Sequence, residues 1–142
     1  MSTPVRESAR EDAWPEDRRD EAPRELFDSG VRRADLDPAR PTFVSTPWGP
    51  FALYVDSRGT VHALDAFCPH LEGPLFQGTV TEDVVVCPWH LWRFSLQDGR
   101  CVGSRNGEGA AARLRRCPVV GGPSGTLHLG PPDAPRRELP GV

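Results

Sequence analysis

Short apolar segments alternate with turn-forming residues along most of the chain between residues 42 and 129. Residues 51–55 and 60–65 are rich in apolar and β-branched side chains, and the Asp-Ser-Arg-Gly turn between them predicts a β-hairpin. The succession of short strands and turns makes the expected fold class all-β. The same pattern predicts further strands at 42–45, 79–81, 84–86, 92–96, 101–102, 115–120 and 126–129.

The composition predicts one β-rich domain with loose ends. The chain has 142 residues with Pro 16 and Gly 14, which favours turns and short strands. Residues 1–25 carry eight acidic and five basic side chains and few large apolar groups, too few to offset the entropy of ordering. We therefore predict a disordered charged tail over 1–25, a folded domain over 26–130 and a flexible tail over 131–142.

Charge and hydropathy exclude two classes of partner. The net charge is −3 and no basic cluster exceeds two adjacent arginines, which argues against nucleic-acid binding. No apolar run approaches the length of a membrane span, and the N-terminus lacks the apolar core of a signal peptide. We expect a soluble, cytoplasmic protein with no membrane partner.

Two short motifs carry the candidate chemistry. Cys68 and His70 flank a proline, and Cys87 and His90 flank Pro-Trp, so each motif offers one thiolate and one imidazole. The prolines fix the backbone and indicate stiff loops. If the loops meet, the cysteines can bind one iron and the histidines a second, which is the ligand set of a Rieske [2Fe–2S] centre. A zinc-stabilised binding module could use the same ligands, but zinc motifs usually pair Cys with Cys and His with His.

Residues 68–78 (CPHLEGPLFQG) and 87–99 (CPWHLWRFSLQDG) resemble the two cluster-binding loops of the Rieske ferredoxin and oxygenase family. The resemblance extends over about residues 31–130. It implies a Rieske-like fold, with an antiparallel β-sandwich base and a small two-loop cluster-binding subdomain. It also implies one [2Fe–2S] cluster per chain, with the cysteines on the inner iron and the histidines on the outer iron through Nδ1.

The chain departs from this family at several positions. Leu91 stands where many relatives have glycine, and residues 103–109 lack the proline of the loop that covers the cluster in many relatives. Trp92 and Phe94 occupy the positions at which high-potential members carry hydroxyl groups. Gly73 and Trp89 replace the cysteines of their loop disulfide. With fewer donors to sulfur, we predict a potential near the lower end of the Rieske range, roughly −150 mV.

The resemblance implies an electron carrier, with an upstream reductase and a downstream oxygenase or reductase as redox partners, and no catalytic residue of its own. A permanently bound small subunit, like that of assimilatory nitrite reductase, is the alternative. Oxygenases of the family hold a mononuclear iron on a second large domain, for which these residues leave no room. We accordingly predict that His62 and His128 are ordinary surface or strand histidines. Cys101 and Cys117 are predicted to be buried free thiols, with a disulfide as the alternative.

Overall fold

The computed structural model describes residues 6–7, 26–69, 73–89, 91–104, 107, 111–122 and 124–134. The described part is almost entirely β-structure, as predicted, with two single-turn 3₁₀ helices at Arg33–Asp35 and Leu75–Gln77. No helix in these ranges is long and apolar enough to cross a membrane. The strands are β1 Arg6–Glu7, β2 Phe27–Arg32, β3 Thr42–Thr46, β4 Gly49–Val55, β5 Thr60–Asp65, β6 Thr79–Thr81, β7 Val84–Val86, β8 Arg93–Ser95, β9 Cys101–Gly103, β10 Arg116–Cys117, β11 Val119–Gly121 and β12 Thr126–Leu129.

The strands form three sheets. The central sheet has the order β1-β5-β4-β3, and β10 also pairs with β5. A second sheet has the order β11-β12-β2, and the third has the order β6-β7-β8-β9. Among the strands of the described ranges, every pairing is antiparallel except that of β1 with β5.

The central sheet is buried on both faces, which explains why residues 51–55 of β4 are continuously apolar. Phe51, Leu53 and Val55 point to one face, and Ala52 and Tyr54 to the other. The first face packs on the β11-β12-β2 sheet and forms what we call the base core. The second face packs under the β6-β7-β8-β9 sheet and forms the subdomain core. The sandwich base and the small added subdomain are both present, as the resemblance implied.

Two elements differ from the sequence-based prediction. The single strand expected at 115–120 is divided at Pro118, which has no N–H to donate to a ladder. As a result, β10 pairs in the central sheet, whereas β11 pairs with β12 in the second sheet. Strand β2 was not predicted, because its sequence is mostly polar and contains Gly30 at φ 73°. It still alternates between half-buried and exposed positions, and β12 pairs with it across an irregular register.

The predicted tails are only partly covered by the described residues. Within 1–25, Arg6–Glu7 pair in parallel with Thr60 and Val61. The rest of that segment lies outside the described residues, and its disorder stays a prediction. In the C-terminal segment, the Asp133 carboxylate accepts hydrogen bonds from the backbone N–H of Arg116 and from the guanidinium of Arg113. The segment is therefore bonded to the domain at least as far as Asp133.

Two contacts fasten the subdomain to the central sheet, at the turn between β4 and β5. The Asp83 carboxylate, in the β6–β7 turn, accepts bonds from the Ser57 N–H (2.6 Å) and hydroxyl (2.8 Å). The Gln97 amide, in the turn after β8, donates to Asp56 Oδ2 at 2.9 Å. His62 Nε2 lies 2.8 Å from the same oxygen. Both turns of the subdomain are therefore held at the end away from the ligand loops.

Asp56 is the buried carboxylate of this junction. Burial raises its pKa, but the hydrogen bonds from His62, Gln97, Thr60 and Arg58 outweigh that effect and lower the pKa from 3.8 to about 2. The carboxylate is therefore ionised at neutral pH and can only accept, so His62 donates through Nε2. Because the folded-state pKa lies below the unfolded one, Asp56 stabilises the fold fully above about pH 4. That stabilisation is lost as the pH falls towards 2.

We expect Asp56→Asn to lower the free energy of unfolding at pH 7 by about 1 to 2 kcal/mol, because the asparagine side chain has one acceptor oxygen where the carboxylate has two. Asp98→Asn is the matched control, since the Asp98 carboxylate is half-exposed and bonds the Arg100 N–H as an asparagine oxygen also can. Urea unfolding of both variants measures the difference. An equal effect of the two substitutions would contradict the assigned role of Asp56.

Candidate metal centre

Each ligand loop is closed by the same kind of backbone hydrogen bond. In the first loop, the Cys68 N–H donates to the carbonyl of Gly73 at 2.7 Å. In the second, the Cys87 N–H donates to the carbonyl of Trp92 at 2.8 Å. Each cysteine is thus the first residue of a loop that closes on the carbonyl five residues later.

The two loops meet at Gly73. A Cβ placed on Gly73 would lie 2.7 Å from Cys87 Sγ and 3.3 Å from Trp89 Cβ. The first separation is shorter than real Cβ contacts allow, so only glycine lets the first loop approach the Cys87 thiol this closely. The assumption that the two motifs form adjacent loops is therefore met by the structure.

Both cysteines are buried in the subdomain core and neither forms a disulfide, with Cys68 1% and Cys87 0% exposed. Tyr54 belongs to the same core and donates its hydroxyl to the carbonyl of Asp65 at 3.1 Å. Burial, reinforced by negative charge at Asp65, Cys87 and Cys68, holds the Tyr54 pKa well above its usual value. Tyr54 therefore contributes a buried, neutral phenol to the floor of the centre. Of the four predicted ligands, His70 and His90 lie outside the described residues.

An aromatic group supports the first loop. Phe67 precedes Cys68 and forms an isolated bridge with Pro74, and the Phe76 N–H donates to the Ala66 carbonyl. The Phe67 and Phe76 rings pack edge to face at 5.7 Å, which is a favourable geometry. The ligand motifs alone do not mark these phenylalanines as part of the site, although two aromatic side chains flanking a ligand loop are a signal that points to them.

The second loop combines a buried and an exposed side. Trp92 and Phe94 are buried, with ring centroids 6.4 Å apart. Trp89 and Leu91 are 58% and 67% exposed. Leu91 has φ 59°, in the left-handed region that favours glycine, and its N–H donates to the Cys87 carbonyl at 3.0 Å. The departure from glycine noted in the sequence therefore places a branched side chain in a strained backbone conformation.

The two histidines and two cysteines outside the ligand motifs all lie in strands. His62 and His128 lie in strands as predicted, but both are buried rather than on the surface. In the part of the chain that the structure describes, neither joins a group of three potential metal ligands. Cys101 and Cys117 are free thiols; Cys117 is buried, which raises its pKa to about 12, whereas Cys101 is only partly buried.

The residues present fit an iron–sulfur cluster. Two buried thiols begin two loops of the same closure, the loops touch, and the surrounding side chains are apolar and aromatic, which suits a desolvated thiolate-bound centre. A sequence model of the Rieske [2Fe-2S] domain matches residues 30–114, which is more than half of the chain. The chain belongs to the Rieske [2Fe–2S] domain family. A domain of this family carries a [2Fe–2S] cluster, and the zinc alternative is accordingly not supported.

Similar proteins come from several classes that contain Rieske domains. The oxygenase component of 3-ketosteroid-9-alpha-monooxygenase from Rhodococcus rhodochrous is 39% identical over 69 residues, which cover 49% of this chain and only 16% of that protein. The crystal structure of apo dicamba monooxygenase is 29% identical with a TM-score of 0.65, covering 76% of this chain and 33% of the other. The chain thus spans a small part of these oxygenases.

Two smaller proteins show the same fold over nearly their whole length. The ferredoxin of carbazole 1,9a-dioxygenase from Nocardioides aromaticivorans is 20% identical with a TM-score of 0.64, covering 75% of this chain and 97% of the ferredoxin. A putative NADH-dependent nitrite reductase small subunit from Mycobacterium tuberculosis is 21% identical with a TM-score of 0.63, covering 75% of this chain and 94% of the other. At these identities the likeness establishes the fold.

We expect Gly73→Ala to reduce cluster incorporation and to destabilise the domain by about 1 to 3 kcal/mol, the usual cost of overpacking, because the new methyl group collides with Cys87 Sγ. Gly103→Ala is the control in the same subdomain, since its Cβ would meet side-chain atoms of the exposed Arg93 alone, the nearest being Cδ at 3.1 Å. Visible absorption per chain and urea unfolding measure the two effects. Full cluster occupancy in Gly73→Ala would contradict the close approach of the loops.

We expect Leu91→Gly to leave the domain as stable as the wild type or to stabilise it by up to about 1 kcal/mol. Relief of the left-handed strain offsets the larger entropy that glycine loses on folding. Leu91→Val should destabilise the domain, because a β-branched residue tolerates positive φ least. Urea unfolding of the two variants tests the order. A valine variant more stable than the glycine variant would show that the backbone at Leu91 is not left-handed.

Proposed function

We propose that Cys68, His70, Cys87 and His90 hold the [2Fe–2S] cluster and that the protein carries single electrons between redox partners. The observation that carries the proposal is that two loops, each beginning at a buried cysteine whose N–H bonds to the carbonyl five residues later, meet where Gly73 lies against Cys87. The cysteines bind the inner iron as thiolates. The histidines follow them in the two loops and bind the outer iron.

When bound, the cluster supplies a reversible one-electron redox change, and the protein supplies binding and environment. Cys68 and Cys87 are held below the surface, so their thiolates are shielded from water. Tyr54 stays neutral and donates its hydroxyl to the Asp65 carbonyl. Trp92 and Phe94 pack as apolar bulk behind the second loop, which lowers the local dielectric constant.

The partners we propose are an upstream reductase and a downstream oxygenase or reductase. Support comes from the Rieske family membership, from the oxygenase components among the relatives, and from the fold shared with a dioxygenase ferredoxin. A permanent small subunit of a larger reductase is the second candidate, and the exposed Trp89 and Leu91 are the observation that favours an attached partner. A monomeric, cluster-loaded protein that exchanges electrons on its own favours the free carrier.

We expect two irons and two acid-labile sulfides per chain in anaerobically purified protein. Cys68→Ser and Cys87→Ser should abolish the visible absorption and lower the melting temperature, because metal-binding energy is partly folding energy. Cys117→Ser is the control, since that thiol lies in the base core and has a high pKa. One zinc per chain without sulfide, or unchanged absorption in either ligand variant, would refute the assignment.

We expect a midpoint potential near the lower end of the Rieske range, roughly −150 mV. Trp92 and Phe94 bring no hydroxyl to the cluster, so the more negative reduced state gains no hydrogen bond from them. Phe94→Tyr should raise the potential if the new hydroxyl reaches a sulfur atom. Protein-film voltammetry measures both proteins, and a wild-type midpoint above about +100 mV would contradict the low-potential assignment.

A further inference from the structure

Asp65 and Arg115 form a largely buried ion pair at the end of β5, with 19% and 9% of their side chains exposed. The Asp65 carboxylate accepts from the Arg115 N–H at 2.6 Å and from Nε at 3.0 Å, and Nη2 lies 2.9 Å from Oδ1. In return, the Asp65 N–H donates to the Arg115 carbonyl at 3.2 Å. The two residues are therefore fixed to each other by main chain and side chain, which holds their charges in one orientation.

The guanidinium end of the pair lies against the base core. Its Cζ is 4.8 Å from the centre of the Phe51 ring, a cation–π contact, and Nη1 donates to the Trp48 carbonyl at 3.2 Å. Phe51 belongs to the base core, and Trp48 packs against it. Burial raises the pKa of Cys117, in the same core, to about 12, and the strongest effect of a charge on that thiol comes from Arg115, which opposes the rise. The positive end of the pair therefore faces the base core.

The carboxylate end of the pair lies towards the ligand cysteines. The Tyr54 hydroxyl donates to the main-chain carbonyl of Asp65 at 3.1 Å, and Tyr54 lies in the subdomain core together with both ligand cysteines. Burial is the largest cause that holds the Tyr54 pKa above its usual value, and the charge of Asp65 is the next. The leading charge is therefore Asp65 at Tyr54 but Arg115 at Cys117. The pair presents its negative end to the core that contains the ligand thiols.

A charge pair of fixed orientation acts on the redox equilibrium of a neighbouring centre. Reduction adds one negative charge to a [2Fe–2S] cluster, so a negative charge in surroundings of low dielectric constant disfavours the reduced state. The opposite charge of Arg115 compensates this effect only in part, because the guanidinium lies on the base side of the central sheet. Salt screens buried charges much less than exposed ones, so the effect persists in solutions of high ionic strength.

We propose that the Asp65–Arg115 pair lowers the midpoint potential of the centre, with the Asp65 carboxylate favouring the oxidised cluster and Arg115 acting as the positioning residue that keeps this carboxylate charged and in place. Burial raises the pKa of Asp65, and the hydrogen bonds and charge of Arg115 oppose that rise. The inference rests on the proposed function, because it requires a cluster bound by the two ligand cysteines. It adds an electrostatic cause of a low potential to the missing hydroxyl donors at Trp92 and Phe94.

The test measures midpoint potentials of the full-length, cluster-loaded protein by protein-film voltammetry. Asp65→Asn removes the negative charge but keeps a side-chain oxygen that accepts from Arg115. The double variant, Asp65→Asn with Arg115→Met, removes both charges. It is preferred to Arg115→Met alone, because an unpaired buried carboxylate destabilises a protein strongly. Asp56→Asn is the matched control, since it removes a buried carboxylate that bonds to Thr60, at the opposite end of β5 from Asp65.

We expect Asp65→Asn to shift the redox equilibrium roughly tenfold towards the reduced state, which is about 59 mV for one electron. The double variant should have a potential between those of Asp65→Asn and the wild type, because it also loses the positive charge. Asp56→Asn should cause a clearly smaller shift, and high sodium chloride should leave these differences in place. Equal shifts in Asp65→Asn and Asp56→Asn, or a double variant at or below the wild-type potential, would overturn the proposal.

Visible absorption, recorded before voltammetry, separates this inference from the function on which it rests. A wild-type protein without a cluster would defeat the proposed function, and the inference with it. A wild-type protein whose cluster is present, but whose potential Asp65→Asn leaves unchanged, would overturn the inference alone. If Asp65→Asn fails to hold the cluster, the double variant decides: a potential above that of the wild type supports the proposal, and one at or below it contradicts the proposal.

Discussion

The close approach of the two ligand loops at Gly73 is the constraint on which the rest of the centre depends. A side chain there would occupy the space of Cys87 Sγ, so the first loop could not close against the second. The hydrogen bond from Cys68 to the Gly73 carbonyl ties this contact to the first thiol. One glycine therefore couples the positions of both cysteines, and a shift of either loop would alter the shared geometry.

The central sheet provides the platform for this arrangement. Strand β4 sends Phe51, Leu53 and Val55 into the base core, and Ala52 and Tyr54 towards the thiols. The subdomain is fastened to the turn after β4 through its own two turns, at the ends of β7 and β8 opposite the ligand loops. The strands on either side of the second ligand loop, β7 and β8, are consequently anchored at their far ends.

The sequence predicted most of this organisation because strand periodicity, turn residues and the spacing of ligands are local properties. The strands at 79–81 and 84–86 and the paired loops follow from them directly. Long-range contacts were not predictable in the same way. Nothing local indicates that Pro118 moves the chain between sheets, or that Asp56 meets Gln97, forty-one positions away. Leu91 was recognised only as a departure from the family pattern. Its positive φ became evident from the backbone itself.

The family and its [2Fe–2S] cluster follow from the sequence match and the loop geometry, whereas the histidine ligands remain the proposed part of the account. Pulsed electron paramagnetic resonance of the reduced protein tests them most directly, because it detects nitrogen nuclei bound to the iron that holds the extra electron. The account predicts couplings from two imidazole nitrogens, with one lost in His70→Cys and the other in His90→Cys. A spectrum without strongly coupled nitrogen, or one unchanged by both substitutions, would contradict it.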